Sequence, residues 1–528
     1  MSKKQMFLRS AWMAGAAGPA LVAMATACCG ADEAKPATAA AQTPAATAAP
    51  AAAPQKEPSW VDKSKNPVSW FKWGADLRIR DEYYNNVQTL ADHNYLANPA
   101  KPYNPNPADK NYNPTTTWHE QNLLRYRTRF WNSIEPVKGL SFNSRLTWEG
   151  YEFTTPSNRR DFETRKLGWE GLDAGDGIVD TLNIKATIDP VAITVGRQDM
   201  RFGEGWLIMD GTTADGSRTL FFDAARVTYD AKPIKTTFDM VGIYQNALED
   251  ATFPTIRHMT TTKPYVTVED EDARGMVFYV SNKSIKNVQL DGYYIYKTTD
   301  PYRDPFTGPN QGLPVSGYTS DIHTIGSRVV WDITEHIKYR VEGAYQFGER
   351  NGVDVSAGGM NSELSYNFKD SLKNQVRFTY EYLSGDDPNS KGTDEMFDVL
   401  WGRWPRFSEI AVRSFAPETG NRAAQYNNLH RFGPGWSITP LKNLDYSLDY
   451  WPMFTDQEVP TRASAATAAN KVFSNDDNFR GHFVTTGLKY KFNQYMSGHL
   501  LGEFLFPGNF YNTDEMMTFL RAEVVFTY

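Results

Sequence analysis

From Trp70 to the C-terminus the chain alternates apolar and polar residues with a period of two. The last stretch is the clearest. Leu520, Ala522, Val524, Phe526 and Tyr528 share one side, and Arg521, Glu523 and Thr527 the other. Successive side chains of a strand point to opposite faces, so this segment has one apolar and one polar surface. About eighteen such segments follow one another, each near the length that a tilted strand needs to cross a bilayer. They start near Trp70, Asn122, Leu140, Asp180, Val191, Phe221, Ile234, Gly275, Lys286, Ile322, Ile337, Asn361, Leu372, Asn428, Asn443, His482, Gln494 and Thr518.

The connections alternate in length. Glu135–Gly139, Asp189-Pro190, Ala231-Lys232-Pro233, Thr334-Glu335-His336, Lys369-Asp370-Ser371 and Thr439–Lys442 read as tight turns. Between them run long polar segments: Val87 to Trp118, Asp250 to Asp272, Asp300 to Asp321 and Asp386 to Asn427. Short turns at one end and long loops at the other are the pattern of an outer-membrane barrel. The fold predicted is all-β, a transmembrane antiparallel β-barrel of about 18 strands, with short periplasmic turns and long extracellular loops. A soluble sandwich would not require this alternation of loop length.

Composition narrows the alternatives. Mean hydropathy is −0.54, which suits a soluble chain, yet aromatics reach 14%. A barrel reconciles the two, since only every second residue of a strand need be apolar. Past residue 30 no run approaches the length of a spanning helix. Lys and Arg number 55 against 62 Asp and Glu, a net charge of −7, which argues against a nucleic-acid partner. Both cysteines lie at Cys28 and Cys29, so the barrel region has no thiol for disulfides, metal ligation or catalysis.

The first residues read as an export signal. Lys3, Lys4 and Arg9 precede an apolar, small-residue stretch from Ala11 to Ala27 that ends in Ala25-Thr26-Ala27. The divisions predicted are a signal peptide over 1–27, an Ala/Pro-rich disordered linker over 28–69 and the barrel over 70–528. Cys28 directly follows the cleavage site and is either a lipidation site or an ordinary residue. The expected location is the outer membrane of a Gram-negative-type bacterium.

In a barrel the polar positions face the lumen. Arg78 and Arg80, Arg125, Arg127 and Arg129, Arg145, Arg226, Arg328, Arg340 and Arg377 all fall on that face. A guanidinium is permanently charged and grips carboxylates through two parallel hydrogen bonds, so an arginine-lined pore favours anions. Many of these arginines stand two positions from a carboxylate, and pairing that merely braces the wall is the competing reading. Arg125, Arg127 and Arg129 have no acid interleaved on their own strand face.

Three blocks carry a resemblance to the bacterial alginate export family. They are Leu124–Phe130, then Gly196-Arg197-Gln198 with Leu220–Val227, then Tyr380–Asp387 with Phe397-Asp398. The resemblance spans roughly Trp70 to Tyr528. It implies an eighteen-stranded outer-membrane porin, a monomer, whose basic lumen conducts a polyuronate. It also implies that Arg125, Arg127, Arg129 and Arg197 line the pore. For Arg197 alternation from Ile193 and Val195 points toward lipid, so a bulge or register shift is expected there.

Other features leave alternatives open. Asp173–Gly177, and Asp386-Asp387 with Asp394-Glu395, are rich in oxygen ligands and suit either calcium or turns. The Asn98–Pro114 stretch could contact sugars through Tyr103 and Tyr112, or be a plain loop. The Asp386–Asn427 segment, with Trp401 and Trp404, either folds over the mouth as a gate or stays in solvent. Eight histidines without a persuasive nucleophile pattern argue against an enzyme, and no cofactor is expected.

The function expected is passage of anionic saccharides, alginate-like polyuronates or oligosaccharides, by diffusion through an arginine-rich lumen. A nonspecific or nutrient-uptake porin, or a structural or adhesive barrel, are the alternatives. Expected partners are outer-membrane lipid and lipopolysaccharide, the barrel assembly machinery through the C-terminal Tyr528, and the anionic saccharide.

Overall fold

The computed structural model describes residues 64–87, 120–155, 176–209, 221–245, 271–303, 314–316, 319–402, 407–415, 418, 425–459, 473–512 and 514–528. The export signal, nearly all of the linker, the Asn98–Pro114 stretch, Asp173 and Trp404 lie outside these residues. Among the described residues eighteen long strands form one antiparallel sheet. The first nine are β1 Phe71–Asn85, β2 Glu120–Val137, β3 Leu140–Thr155, β4 Asp176–Ile188, β5 Val191–Gln198, β6 Phe222–Ala231, β7 Thr236–Gln245, β8 Glu271–Asn282 and β9 Val288–Arg303. The others are β10 Ser320–Asp332, β11 Ile337–Arg350, β12 Val353–Asn367, β13 Gln375–Leu383, β14 Leu429–Leu441, β15 Leu444–Phe454, β16 Phe479–Lys491, β17 Met496–Pro507 and β18 Met517–Thr527. Two short pieces, Pro314–Ser316 and Thr393–Asp394, pair beside β9 and β12.

Each long strand pairs with its neighbours in sequence, and β1 also pairs with β18 from Asp76↔Thr527 to Asn85↔Thr518. The sheet is therefore a closed barrel without a free edge. At one end the links are tight: Val137 pairs with Leu140, Ile188 with Val191, and Leu441 with Leu444. That end also holds the start of β1 and the end of β18, and is the periplasmic end by the usual asymmetry of such barrels.

Burial separates a membrane barrel from a soluble one. The apolar residues of each strand face outward, where Ile188 is 77% exposed, Leu500 56% and Val195 53%. The buried positions inside include Glu82, Arg78, Arg80, Asp449 and Arg521. Such inversion, charge inside and aliphatics outside, is stable only when lipid covers the outer band.

The predicted strand starts fall close to the observed ones with one clear exception. β12 begins at Val353, eight residues before the expected Asn361, because Arg350 and Val353 pair across a two-residue turn. Asn351 and Gly352 there have φ of +52° and +78°. Two positive φ values define the turn that best matches strand twist, and Asn-Gly is its preferred sequence. This tight turn lies at the extracellular end, so the alternation of loop lengths is not strict. No atom lies within 4 Å of a Cβ built on Gly352. Gly352→Ala should then lose only the cost of the left-handed backbone, about 1 kcal/mol, read as a lowered midpoint in urea unfolding from lipid vesicles.

Candidate channel lumen

Alternation puts all the predicted arginines except Arg197 on the lumenal side, and each has a carboxylate within reach. Arg125 donates to Glu82 at 2.8 Å, Arg127 to Asp76 at 3.3 Å, and Arg129 to Asp76 at 2.7 Å. Arg78 and Arg80 both approach Glu523. Arg226 donates to Asp239 at 2.8 Å, Arg340 reaches Glu363 at 2.8 Å, and Arg377 grips Asp449 through two bonds of 2.9 and 2.8 Å. The acids missing from the strand face of Arg125, Arg127 and Arg129 come from β1, one strand away.

On the lumenal face of three adjacent strands, β18, β1 and β2, Arg78, Arg80, Arg125, Arg127, Arg129 and Arg521 stand together with Asp76, Glu82 and Glu523, and Glu409 reaches Arg521 at 2.9 Å. Arg78, Arg80, Arg125 and Arg127 are buried, whereas the side chain of Arg129 is 18% exposed.

Arg197 is placed differently. The pairing runs through Leu182↔Arg197 and Arg197↔Asp223 without the expected register shift, although Gly196 has a φ of +115°. Arg197 thus keeps the outer face that Val195 has. It grips Asp223 at 2.9 and 3.0 Å, and its guanidinium lies 3.7 Å from the centre of the Phe221 ring. The pair cancels its charge in the outer wall, and this arginine does not belong to the lumenal set.

Two segments fold into the extracellular half of the lumen. In residues 199–209 Met200, Trp206, Leu207, Ile208 and Met209 are buried, and in residues 384–402 so are Met396, Phe397, Val399, Leu400 and Trp401. They meet through Ile208 and Trp401, whose backbones bridge, and Trp206 stacks on Phe397 with ring centres 5.4 Å apart. A short helix, α1 Glu409–Ser414, lies beside β17 and β18.

The barrel wall holds these segments by polar side chains. Gln346 donates to the Asp398 carbonyl at 2.7 Å and accepts from its amide at 2.8 Å. Trp401 Nε1 donates to Gln245 at 2.6 Å, and Lys297 to the Leu400 carbonyl at 3.2 Å. Arg350 reaches Asp394 at 2.9 Å and the Met396 carbonyl at 3.2 Å. Glu503 accepts from Ser408 Oγ at 2.8 Å and from the Glu409 and Ile410 amides at 3.1 Å, capping α1 with negative charge where the helix dipole favours it. Two predicted arginines serve here as well. Arg145 grips Asp199 at 2.7 and 2.8 Å, and Arg328 bridges Asp291 to Glu204.

The solvent-exposed reading of the Asp386–Asn427 segment does not hold for its described part, which enters the lumen and constricts it. Burying a large apolar side chain stabilises by about 1.5–3 kcal/mol, so swinging out Trp206, Phe397 and Trp401 alone would cost several such amounts. The Asp386, Asp387 and Glu395 carboxylates accept amide hydrogens of their own turn, as at Glu395 N to Asp386 (3.2 Å) and Asp387 N to Glu395 (3.1 Å). Among the described residues no group of acidic or histidine side chains is arranged to hold a metal ion.

Sequence reasoning did not single out Lys297, Arg350, Arg431 and Arg480. Arg431 pairs with Glu381 at 2.8 Å between the rings of Phe407 and Trp451, and Arg480 pairs with Glu418. Lys297, Arg350 and Arg431 alternate correctly in their strands, whereas Arg480 is turned inward by a bulge, since Met453 pairs with Gly481 and Phe454 with Phe479. Their partners lie on other strands or in the inserted segments, so strand pattern alone carries no sign of them.

A closed barrel with aliphatics outside, charge inside and a narrowed lumen defines an outer-membrane channel. The alginate export family model matches residues 179–524, and the chain belongs to that family; it is a non-enzymatic channel of the outer membrane. No curated protein matches the sequence. Similar solved structures include Acinetobacter baumannii OccAB3, at 12% identity and a TM-score of 0.49 over 86% of this chain and 99% of that one. Pseudomonas aeruginosa OccK5 (OpdH) is 10% identical with a TM-score of 0.48, covering 86% and 97%. Pseudomonas aeruginosa OprD is 10% identical with a TM-score of 0.45, covering 86% and 95%.

Proposed function

We propose that the channel passes anionic saccharides, polyuronates of the alginate type or their oligosaccharides, by diffusion past a cation-rich wall. The observation that carries this reading is the concentration of six arginines along the lumenal face of β18, β1 and β2, set among Asp76, Glu82 and Glu523 of the wall and Glu409 of α1. Guanidinium groups concentrated along one wall offer exchangeable partners to the carboxylates of a passing anion, and the neighbouring wall carboxylates keep its residence short, as conduction requires. Membership in the alginate export family supports the saccharide class.

Planar-bilayer recording under a salt gradient tests the charge. Wild type should show a reversal potential of the sign for anion preference, and Arg125, Arg127 and Arg129 changed together to Gln should shift it toward zero. Arg129→Gln alone, at the least buried of the three, should give part of the shift while Asp76 keeps Arg127 as its partner. Cation preference in the wild type ends the proposal. Oligouronates should also block current at lower concentration than neutral oligosaccharides of equal length; equal block would favour a nonspecific porin.

A further inference from the structure

The outer wall changes character near its extracellular end. One level of the cross-strand register joins Ile193, Val227, Met240, Phe278, Tyr294, Ile325 and Tyr345, a continuous apolar belt. Two residues nearer the outside, Val195, Ala225, Gly242, Met276 and Tyr296 share a level. The next level is polar: Arg197 faces Asp223, and Tyr244, Arg274, Thr298 and Asp321 follow in pairing order. That switch marks where hydrocarbon gives way to headgroups in the outer leaflet.

A hollow of about 600 Å³ sits across the boundary. Ala225 and Gly242 are direct partners on the outward face, between the larger Val195 and Met276, and a Cβ built on Gly242 would meet nothing within 4 Å. Tyr244, Arg274 and Tyr296 form its outer rim. Arg197 and Asp223 neutralise one another, and Tyr296 donates to Asp321 at 2.6 Å. Arg274 is exposed, has no described carboxylate partner, and lies with its guanidinium 5.6 Å from the Tyr244 ring centre.

We propose that this groove binds an outer-leaflet phosphoglycolipid, with one acyl chain over Ala225 and Gly242 and a headgroup phosphate on Arg274. A cation with no carboxylate partner among the described residues, immediately above an apolar hollow at the depth where headgroups begin, complements an anionic acylated ligand. Guanidinium and phosphate form charge-assisted hydrogen bonds in matching geometry. The site faces away from the lumen, so it stands whatever the channel conducts.

Thermal unfolding of the refolded barrel in neutral detergent, with purified lipids added, tests it. Bisphosphorylated lipid A should raise the Tm of wild type by several degrees and its dephosphorylated form by much less. Arg274→Gln should erase the difference between the two lipids. Gly242→Leu, which fills the hollow, should lose most of the shift with both. Heat-modifiable gel migration and unchanged single-channel conductance check that the variants fold. Equal shifts from both lipid A forms, a shift unaffected by Arg274→Gln, or an equal response to phosphatidylglycerol would each overturn the proposal.

Discussion

Glu82→Ala will be among the most destabilising single changes in the barrel. Glu82 is fully buried at the closure between β1 and β18, and its two oxygens serve three arginines from three strands. Arg125 donates at 2.8 Å from β2, Arg521 reaches it at 2.8 and 2.6 Å from β18, and Arg80 lies 3.7 Å away on β1. Breaking a buried ion pair by removing one partner costs about 3–5 kcal/mol, because the other charge stays buried without compensation. Water in the lumen moderates this, and the loss of several partners together adds to it, so a value within that range is expected. The measurement is urea unfolding from lipid vesicles, followed by tryptophan fluorescence and gel migration. Arg521→Gln combined with Glu82→Gln should cost less than the sum of the two, since each single change strands the other's charge. A loss below about 0.5 kcal/mol, the size of an ordinary surface change, would show that Glu82 does not hold the closure.

That cluster also shows where sequence reasoning stops. Arg78, Arg80 and Glu82 lie on one face because alternation dictates it, and the same rule placed Arg521 and Glu523. Which acid answers which arginine depends on register between strands far apart in the chain, and 439 residues separate Glu82 from Arg521. Arg125, Arg127 and Arg129 therefore have no acid interleaved among them on their own strand, yet Asp76 and Glu82 lie across from them. For the strands themselves a local signal suffices, since each carries its own period of two. β12 was misplaced because Asn351-Gly352 sits where a long loop was expected, although that dipeptide is the strongest short hairpin signal.

The inward segments had a weaker signal. Trp206-Leu207-Ile208-Met209 is a run of large apolar residues in a connection that should be wet. Such a run must be covered by something. Phe397 does so by stacking on Trp206, and Phe202 of the same connection packs on Tyr279 of the wall. The cost of that cover is a narrower pore, which links packing directly to conduction.

Removing one inward segment should therefore widen the channel more than any single substitution. Leu383 of β13 already pairs with Leu429 of β14, so a short Gly-Ser turn can replace residues 386–427 without changing strand register. The groups left bare in the wall include Gln245, Lys297, Gln346, Arg350 and Glu503, all polar and readily hydrated. Trp451 and Phe483 also become wet, which lowers stability but leaves the closed sheet intact. Residues 199–209 lose Phe397 and Trp401 as partners, so they too loosen from the lumen. Single-channel conductance should rise several-fold, with added current noise from the freed segment. Anion preference should weaken but keep its sign, because the arginines of β1, β2 and β18 remain. Trp206→Ala should give a smaller rise, since Gln346 and Arg350 still anchor the other segment. Unchanged conductance in the deletion, with normal gel migration, would mean that the narrowest point lies elsewhere along the wall.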